Sequence, residues 1–541
     1  MQRLRVGLPL ARPGAWRGGG AALASIVLVL ALAGGGATLA AASTGNGPVS
    51  VIAANSTGAD VVSVGLPGRS TTVEPGFVGV SLEYKTVPAY EGVLPGDVNP
   101  VLARLIRNLA PGQTPLVRIG GDSTDWTWWP VPGMRAASGV TNSLTPAWIG
   151  SARALALSTG ARLILGINLE ANSKPIASLE ARQLLAGIGR RHVEALELGN
   201  EPQLYPILPW YHNPAGLRVY GRPRNYNLGD YGGEFSRIAG ALPRIALAGP
   251  SIGHTWLSQL GKFVTSVRGV GLVTFHAYGI NRYGYAFRGR NCSTPSTDVS
   301  HPTVATLLSP LASEGLTRNL VPYIALAHSH ALRFRVDEMN AITCAGTPGV
   351  SDTFASALWV LNALFAMAHA GVDGVNVHTW RGSAGKLFSF SEDHGHWTST
   401  VRPEYYGLLM FAHAAPTGAR LLQTAQTIRG QVQSWATLGR DHATRVLLIN
   451  DSLTRTSSVL VRAPGTAGRA GLELLQAPSA SATAGVTLGG QSFDPATATG
   501  MLAGPVPRTV APLAGHYAVR VSPASAALLT IPPAKRPAPK G

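Results

Sequence analysis

The feature that most constrains the fold of this chain is a rhythm. Eight short apolar runs recur at residues 77–82, 116–119, 162–168, 194–198, 245–248, 272–277, 332–336 and 374–378. Segments with helical spacing lie between most of them, at 100–109, 146–158, 178–189, 234–241, 302–308 with 316–329, and 352–370, and another at 403–414 follows the eighth run. Apolar runs bounded by turn residues suit strands covered on both faces, and strands alternating with helices suit βα units and a parallel sheet. Eight units over roughly 340 residues is the count for an α/β chain folded as a (β/α)8 TIM barrel with enlarged loops. The alternative, a doubly wound open sheet, lacks the Gly-x-Gly-x-x-Gly expected after its first strand.

From about residue 415 the texture changes. Alternating apolar and polar residues at 432–438, 445–450, 457–462 and 516–521 are separated by Gly, Pro, Ser and Thr clusters. That pattern predicts a β-sandwich over 415–531 behind a barrel over 76–414. Residues 61–74 share the texture, so 43–75 reads as a linker plus the first strand or strands of the small domain. The Pro-rich tail 532–541 is expected to be disordered.

At the N-terminus, Arg3, Arg5, Arg12 and Arg17 precede the apolar run 21–33, and small residues continue through Ala40-Ala41-Ala42. Residues 1–42 therefore read as an export signal that is cleaved. Counted through residue 42, the apolar stretch is also just long enough to stay as an anchor, the one way the membrane would be involved. In either case the body is expected outside the cytoplasm. Two cysteines, Cys292 and Cys344, are too few for a disulfide scaffold or a zinc site; they allow one bridge or two unrelated thiols. Lys and Arg outnumber Asp and Glu by 44 to 27, a net charge of +17 that favours anionic partners. The basic residues are scattered rather than gathered into a recognition motif, so nucleic acid is not expected as a partner.

Barrel enzymes carry their chemistry at the C-terminal ends of the strands. Reading those positions in order finds Glu83, then Gly120-Gly121-Asp122, Asn168, Asn200 with Glu201, His276 with Tyr278, Asp337 with Glu338, and His378 with Trp380. Glu201 ends the fourth run in Leu196-Glu197-Leu198-Gly199-Asn200-Glu201-Pro202, and Glu338 ends the seventh in Phe334-Arg335-Val336-Asp337-Glu338-Met339-Asn340. Strands four and seven of eight lie nearly opposite one another, so two inward carboxylates could flank a single bond. Glycoside hydrolysis needs that arrangement: one carboxyl to protonate the leaving oxygen, and one to attack or to activate water.

These motifs resemble a known family. LELGNEP and RVDEMNAITCAGTPGVSDTFASALWVLNAL, with LVRIGGDSTD, VTFHAY and RPEYYGLLMFA, occur in the order seen in glycoside hydrolase family 79, the β-glucuronidases and heparanases. The resemblance runs from about Gly76 to Ala412 and more weakly through the C-terminal domain. It implies a (β/α)8 barrel with a β-sandwich, retaining hydrolysis of terminal β-linked glucuronic acid in a glycan or glycoside, and no cofactor or metal. By carry-over Glu201 is the acid/base and Glu338 the nucleophile, and a bridge between Cys292 and Cys344 is favoured.

The remaining roles follow from position. Glu201 must start protonated and Glu338 ionised, with Tyr278 and Arg118 as nearby donors; the alternative for Arg118 is an interior ion pair with Glu197. Asn200 suits the sugar 2-hydroxyl. Glu83 and Asn168 suit other hydroxyls, and Trp380 a stacking platform. His276 and His378 are sugar ligands or satisfied rim histidines. Strand alternation should turn Asp337 away from the sugar. The long loop 204–228, with Tyr205, Trp210, Tyr211, Tyr220, Tyr226, Arg218, Arg222 and Arg224, suits an acidic sugar, and Arg381 and Lys386 are candidates for its carboxylate. A different retaining glycosidase, including an endo-acting heparanase-like one, and a non-catalytic carbohydrate-binding surface protein stand as alternatives.

Overall fold

The computed structural model describes residues 60–65, 72–92, 97–281, 302–428, 430–464, 468–502 and 508–533, all within the unit Asn55–Gly541. The expected signal segment, Cys292 and the end of the tail lie outside the described residues. No helix among the described residues is long and apolar enough to cross a membrane.

All eight expected strands form. We label them β1 (Val78–Glu83), β2 (Leu116–Gly120), β3 (Arg162–Ile167), β4 (Val193–Leu198), β5 (Leu247–Ile252), β6 (Val270–Ile280), β7 (Arg333–Ile342) and β8 (Gly374–Thr379). Each pairs in parallel with the next, and β8 pairs with β1, so the sheet closes into a barrel. The strands read as continuous apolar runs because helices cover the outside while side chains fill the inside. Inside, Ile164, Ala195, Ala248 and Leu272 form a buried cluster on β3 to β6. Two residues further along β4 and β6 stand Glu197 and Thr274, and two further again on β6 stands His276, because successive inward side chains follow the period of two. The apolar floor of the barrel thus gives way to polar groups toward the C-terminal rim.

Helices Pro100–Leu109, Pro146–Thr159, Lys174–Leu184 and Leu228–Ala239 follow their strands, three of them capped by Asn99, Thr145 and Ser173 with a proline in the first turn. Between β5 and β6, where no helical pattern was read, a 3-10 turn His254–Gln259 leads into the short helix Leu260–Ser266. Helix Phe354–Ala370 is apolar all round and buried along nearly its whole length. The reason is a double contact: it lies against the barrel, and its Phe365 and Asn362 meet Trp435 of the C-terminal region, the latter through a 2.9 Å hydrogen bond.

Beyond residue 414 the strands pair antiparallel, except that Ser457–Arg462 pairs in parallel with the early strand Asp60–Val64. One sheet runs in the order Arg420–Leu422, Val432–Leu438, Thr444–Asn450, Ser525–Ile531, Ala470–Gln476, Thr487–Leu488. The other contains Thr424–Thr427, Asp60–Val64, Ser457–Arg462 and Tyr517–Val521. Alternate residues of both, including Val62, Val446, Val459 and Val519, share one core. The described residues thus pass through this second layer, in Asp60–Val64, before they enter the barrel.

Candidate active site

Glu201 reaches the barrel mouth through an unusual turn. Gly199 takes φ +77° where a Cβ would run into the Tyr205 hydroxyl, and Glu201 itself sits at φ +45°, a left-handed conformation uncommon outside glycine. Its backbone N–H donates to Ser251 O at 3.0 Å on the neighbouring β5, which holds the conformation. Asn200 is fixed on three sides. Its N–H donates to Asp125 at 2.9 Å, its amide donates to Asp122 at 3.2 Å, and its carbonyl accepts from Arg118 at 2.9 Å.

Glu338 owes its position to a bulge. Pairing between β7 and β8 jumps from Val336↔Val375 to Met339↔Val377, so Asp337 and Glu338 together oppose one residue. Strict alternation would send these two carboxylates to opposite faces; the bulge brings both to Arg118. The expectation that Asp337 turns away is corrected in that sense: it points into the barrel, beneath the cavity, 3.2 Å from Arg118 Nε.

Arg118 is the hub. Fully buried, it donates to Glu197 at 2.7 Å, to Glu338 at 2.7 Å and to Asn200, with Asp337 beside its Nε. Three carboxylates around one guanidinium crowd negative charge into a buried site. Burial and the neighbouring Glu197 push Asp337 well above the usual carboxylate range. Burial also opposes the charge of Glu197, but Arg118 outweighs it and holds Glu197 low. Of the two, Asp337 is the one pushed toward its protonated form and Glu197 the one held toward its ionised form.

Burial likewise works against the charge on Glu338. The His276 and His378 rings, the Arg118 guanidinium and the Tyr278 hydroxyl outweigh it and hold Glu338 well below the usual range. Tyr278 donates to Glu338 Oε1 at 2.6 Å and, raised by burial and by that same carboxylate, remains a neutral phenol. Burial opposes a charge on His378 too, yet Glu338 and Glu83 raise it. His276 Nδ1 stands between the two rim carboxylates, 3.2 Å from Glu201 Oε1 and 3.7 Å from Glu338 Oε1. Those two legs sum to 6.9 Å, the greatest separation the two oxygens can have. Retaining glycosidases keep their carboxyls about 5–5.5 Å apart and inverting ones about 6.5–9.5 Å.

A cavity of about 470 Å³ opens over this pair. Of the residues read from the sequence, Glu83, Glu201, His276, Tyr278, Glu338, His378 and Trp380 line it. Glu83 accepts the N–H groups of Asp122 and Ser123, which fixes its carboxylate. The ring of Trp380 lies so close over Gly382 that a Cβ there would run into it. Asn200 lines a smaller recess next door.

Four expectations are corrected. Asn168 is fully buried and donates to Asp125 O and Thr127 O at 2.9 and 2.8 Å, so it braces a loop and faces no cavity. Arg118 positions Glu338 and Asn200 and is itself sealed from the cavity, the ion pair with Glu197 being present. Lys386 turns back on Ser383 O at 3.3 Å, and neither it nor Arg381 lines the cavity. In loop 204–228, Arg222 is consumed by Glu234 at 2.8 Å and lies over the rings of Tyr205 and Tyr226. The cavity instead takes Asp122, Gln203, His254, Asn281 and Thr343. Asp122 was legible as the residue ending the Gly-Gly turn after β2. Asn281 and Thr343 directly follow β6 and β7, which extend beyond their apolar runs, and Gln203 and His254 lie in 3-10 turns with no periodic signal. Among the described residues no group of three or more His, Cys, Asp or Glu is arranged to hold a metal ion.

Fold and site together define a (β/α)8 barrel joined to an antiparallel β-domain, with a carboxylate pair at the C-terminal rim. In sequence the chain is a homologue of the β-glucuronidase of Aspergillus niger, 25% identical over 376 residues. That alignment covers 62% of this chain and 64% of the relative, a little under two thirds of its length. In three dimensions the chain is similar to the 4-O-α-L-rhamnosyl-β-D-glucuronidase of Fusarium oxysporum (TM-score 0.65, 17% identity, 87% of this chain and 100% of that one). It is similar also to the family 51 arabinofuranosidase of Xanthomonas axonopodis pv. citri (TM-score 0.60, 15% identity, 87% and 100%). At these identities the structural likenesses speak for the fold. No protein-family model matches the chain.

Proposed function

We propose that this protein is an exported retaining glycoside hydrolase that removes terminal β-linked glucuronic acid. The observation that carries the reading is the pair Glu201 and Glu338, facing one nitrogen of His276 at the mouth of the cavity, in a homologue of a β-glucuronidase.

In the first step Glu201 donates its proton to the glycosidic oxygen, the bond from that oxygen to C1 breaks, and a Glu338 oxygen bonds to C1. The leaving group departs as an alcohol. In the second step Glu201, now a carboxylate, takes a proton from water as the water oxygen attacks C1 and the bond to Glu338 breaks. The sugar leaves with its original anomeric configuration and both carboxyls return to their starting states. Arg118 and Tyr278 favour an ionised Glu338, which the first step requires. Asn200, fixed by Arg118 and Asp122 next to Glu201, lines the adjoining recess and is the candidate for the 2-hydroxyl only where the sugar meets the border of the two spaces. The bound of 6.9 Å between the two oxygens admits the spacing of a retaining pair. The N-terminal segment, read as an export signal, and a Cys292–Cys344 bridge fit an extracytoplasmic site of action.

The test is a panel of aryl β-glycosides that differ at C5, namely glucuronide, glucoside and xyloside, with a galactoside as a C4 control. The glucuronide is expected to have the highest kcat/KM, and a preference for the glucoside would remove the uronic acid from the reading. Glu338→Ala should abolish turnover, and azide should restore it with the opposite anomer as product. Absence of that anomer would count against the covalent step.

A further inference from the structure

The two rim carboxylates do not belong to the same spaces. Glu338 lines the 470 Å³ cavity alone, whereas Glu201 lines both that cavity and a neighbouring recess of about 90 Å³. Asp122, Leu204 and Leu208 are also shared, so the two spaces adjoin along this wall. A double displacement needs the nucleophile at C1 and the acid at the bond from C1 to the leaving oxygen. The sugar must therefore sit where both carboxyls reach, and the leaving group where only the acid reaches. On this partition, we infer that the recess beyond Glu201 is the leaving-group subsite and that it accepts one flat, uncharged aromatic ring. The inference rests on the hydrolase reading above.

Three features select that chemistry. Trp126 and Trp210 line the recess, and Trp210 is held by its indole N–H donating to Asp125 O at 3.0 Å and by close packing on Gly139. Preset aromatic faces favour a ring over a flexible chain. The size is small: a closed cavity that holds benzene is about 150 Å³, so an open recess of about 90 Å³ takes one edge or face of a flat ring, the remainder staying in solvent, and does not enclose a second pyranose. Among the described residues the charged groups of the lining itself are all acids, Asp122, Asp125 and Glu170. Lys85, 5.8 Å from the Trp126 ring, and Arg222, which donates to Glu170 O at 2.8 Å, are not part of the lining, so a sulfated or uronic-acid neighbour would meet no cation there. An aryl glucuronide, rather than an internal bond of an acidic polysaccharide, is the substrate these walls fit.

The experiment compares kcat/KM for a phenyl glycoside of the best sugar in the panel with an alkyl glycoside whose alcohol has similar acidity, in wild type, Trp210→Ala, Trp210→Phe and Trp126→Ala. The glycosyl-enzyme is the same for both substrates, so differences report the leaving-group side of the first step. The aryl-over-alkyl ratio is expected to fall about threefold to tenfold in each alanine variant, the range of an aromatic contact, and to recover in Trp210→Phe, which keeps a ring but loses the indole hydrogen bond. A 4-carboxyphenyl glycoside should be a poorer substrate than the uncharged 4-carboxamide. A ratio unmoved by both alanine substitutions, or a preference for the charged ring or for a sulfated disaccharide, would overturn the subsite while leaving the hydrolase reading intact. No turnover of any glycoside would overturn both.

Discussion

Removing the Tyr278 hydroxyl isolates one contribution to the charge on the proposed nucleophile. In Tyr278→Phe the ring stays and the 2.6 Å donation to Glu338 Oε1 is lost. A hydrogen bond to a charged group contributes about 1.5–3 kcal/mol. At 1.36 kcal/mol per pKa unit, the Glu338 carboxyl should rise by about 1 to 2 units. The sign follows from the direction of the native shift. Glu338 is held below the ordinary carboxylate range, so its ionised form is fully present above about pH 4.3 and is lost as pH falls through the lower folded value. Weakening one of its donors moves that loss upward. The assay is kcat/KM against pH with an aryl glycoside, whose acid limb reports the free enzyme. The acid limb of Tyr278→Phe should lie about 1 to 2 pH units above that of wild type. The rate on the plateau should also fall, because the hydroxyl no longer orients the attacking carboxylate. An acid limb that stays in place, or moves to lower pH, would refute the account of Glu338 as a carboxylate kept ionised by these donors.

Glu201→Ala should cost about 10²- to 10⁴-fold in kcat/KM for glycosides with poorly acidic leaving groups and far less for dinitrophenyl glycosides, which need no proton; a plot of rate against leaving-group acidity checks this. Arg118→Met should destabilise the protein by about 3–5 kcal/mol, because it leaves Glu197, Asp337 and Glu338 buried without their cation, and denaturant unfolding measures it. Asn168→Ala should lower stability by about 1–3 kcal/mol through the unpaired carbonyls of Asp125 and Thr127, with KM unchanged. A large rise in KM at normal stability would return Asn168 to the sugar.

The sequence by itself determined the barrel and the rim carboxylates. Strands covered on both faces must be apolar throughout, so β1 to β8 stand out as short runs, and the residues that end those runs reach the rim whatever the details of packing. Glu201 and Glu338 were legible for that reason, as were Glu83, Tyr278 and Trp380. The tertiary structure decided everything that depends on register and on partners distant in the chain. Periodicity cannot reveal a bulge, so Asp337 was expected on the wrong face of β7, although it shares Arg118 with Glu338 across the barrel. Nor can it reveal that Glu201 adopts a left-handed backbone clamped by Ser251, or that the ring of His276 spans the gap between the two carboxyls. Asn168, Lys386 and Arg222 show the same limit from the other side. Each is a polar residue near the rim, yet Asn168 is satisfied by Asp125 and Thr127, Arg222 by Glu234, and Lys386 by Ser383. A polar side chain near a strand end serves the site or the scaffold according to which partner lies within about 3 Å, and only the folded chain sets that distance.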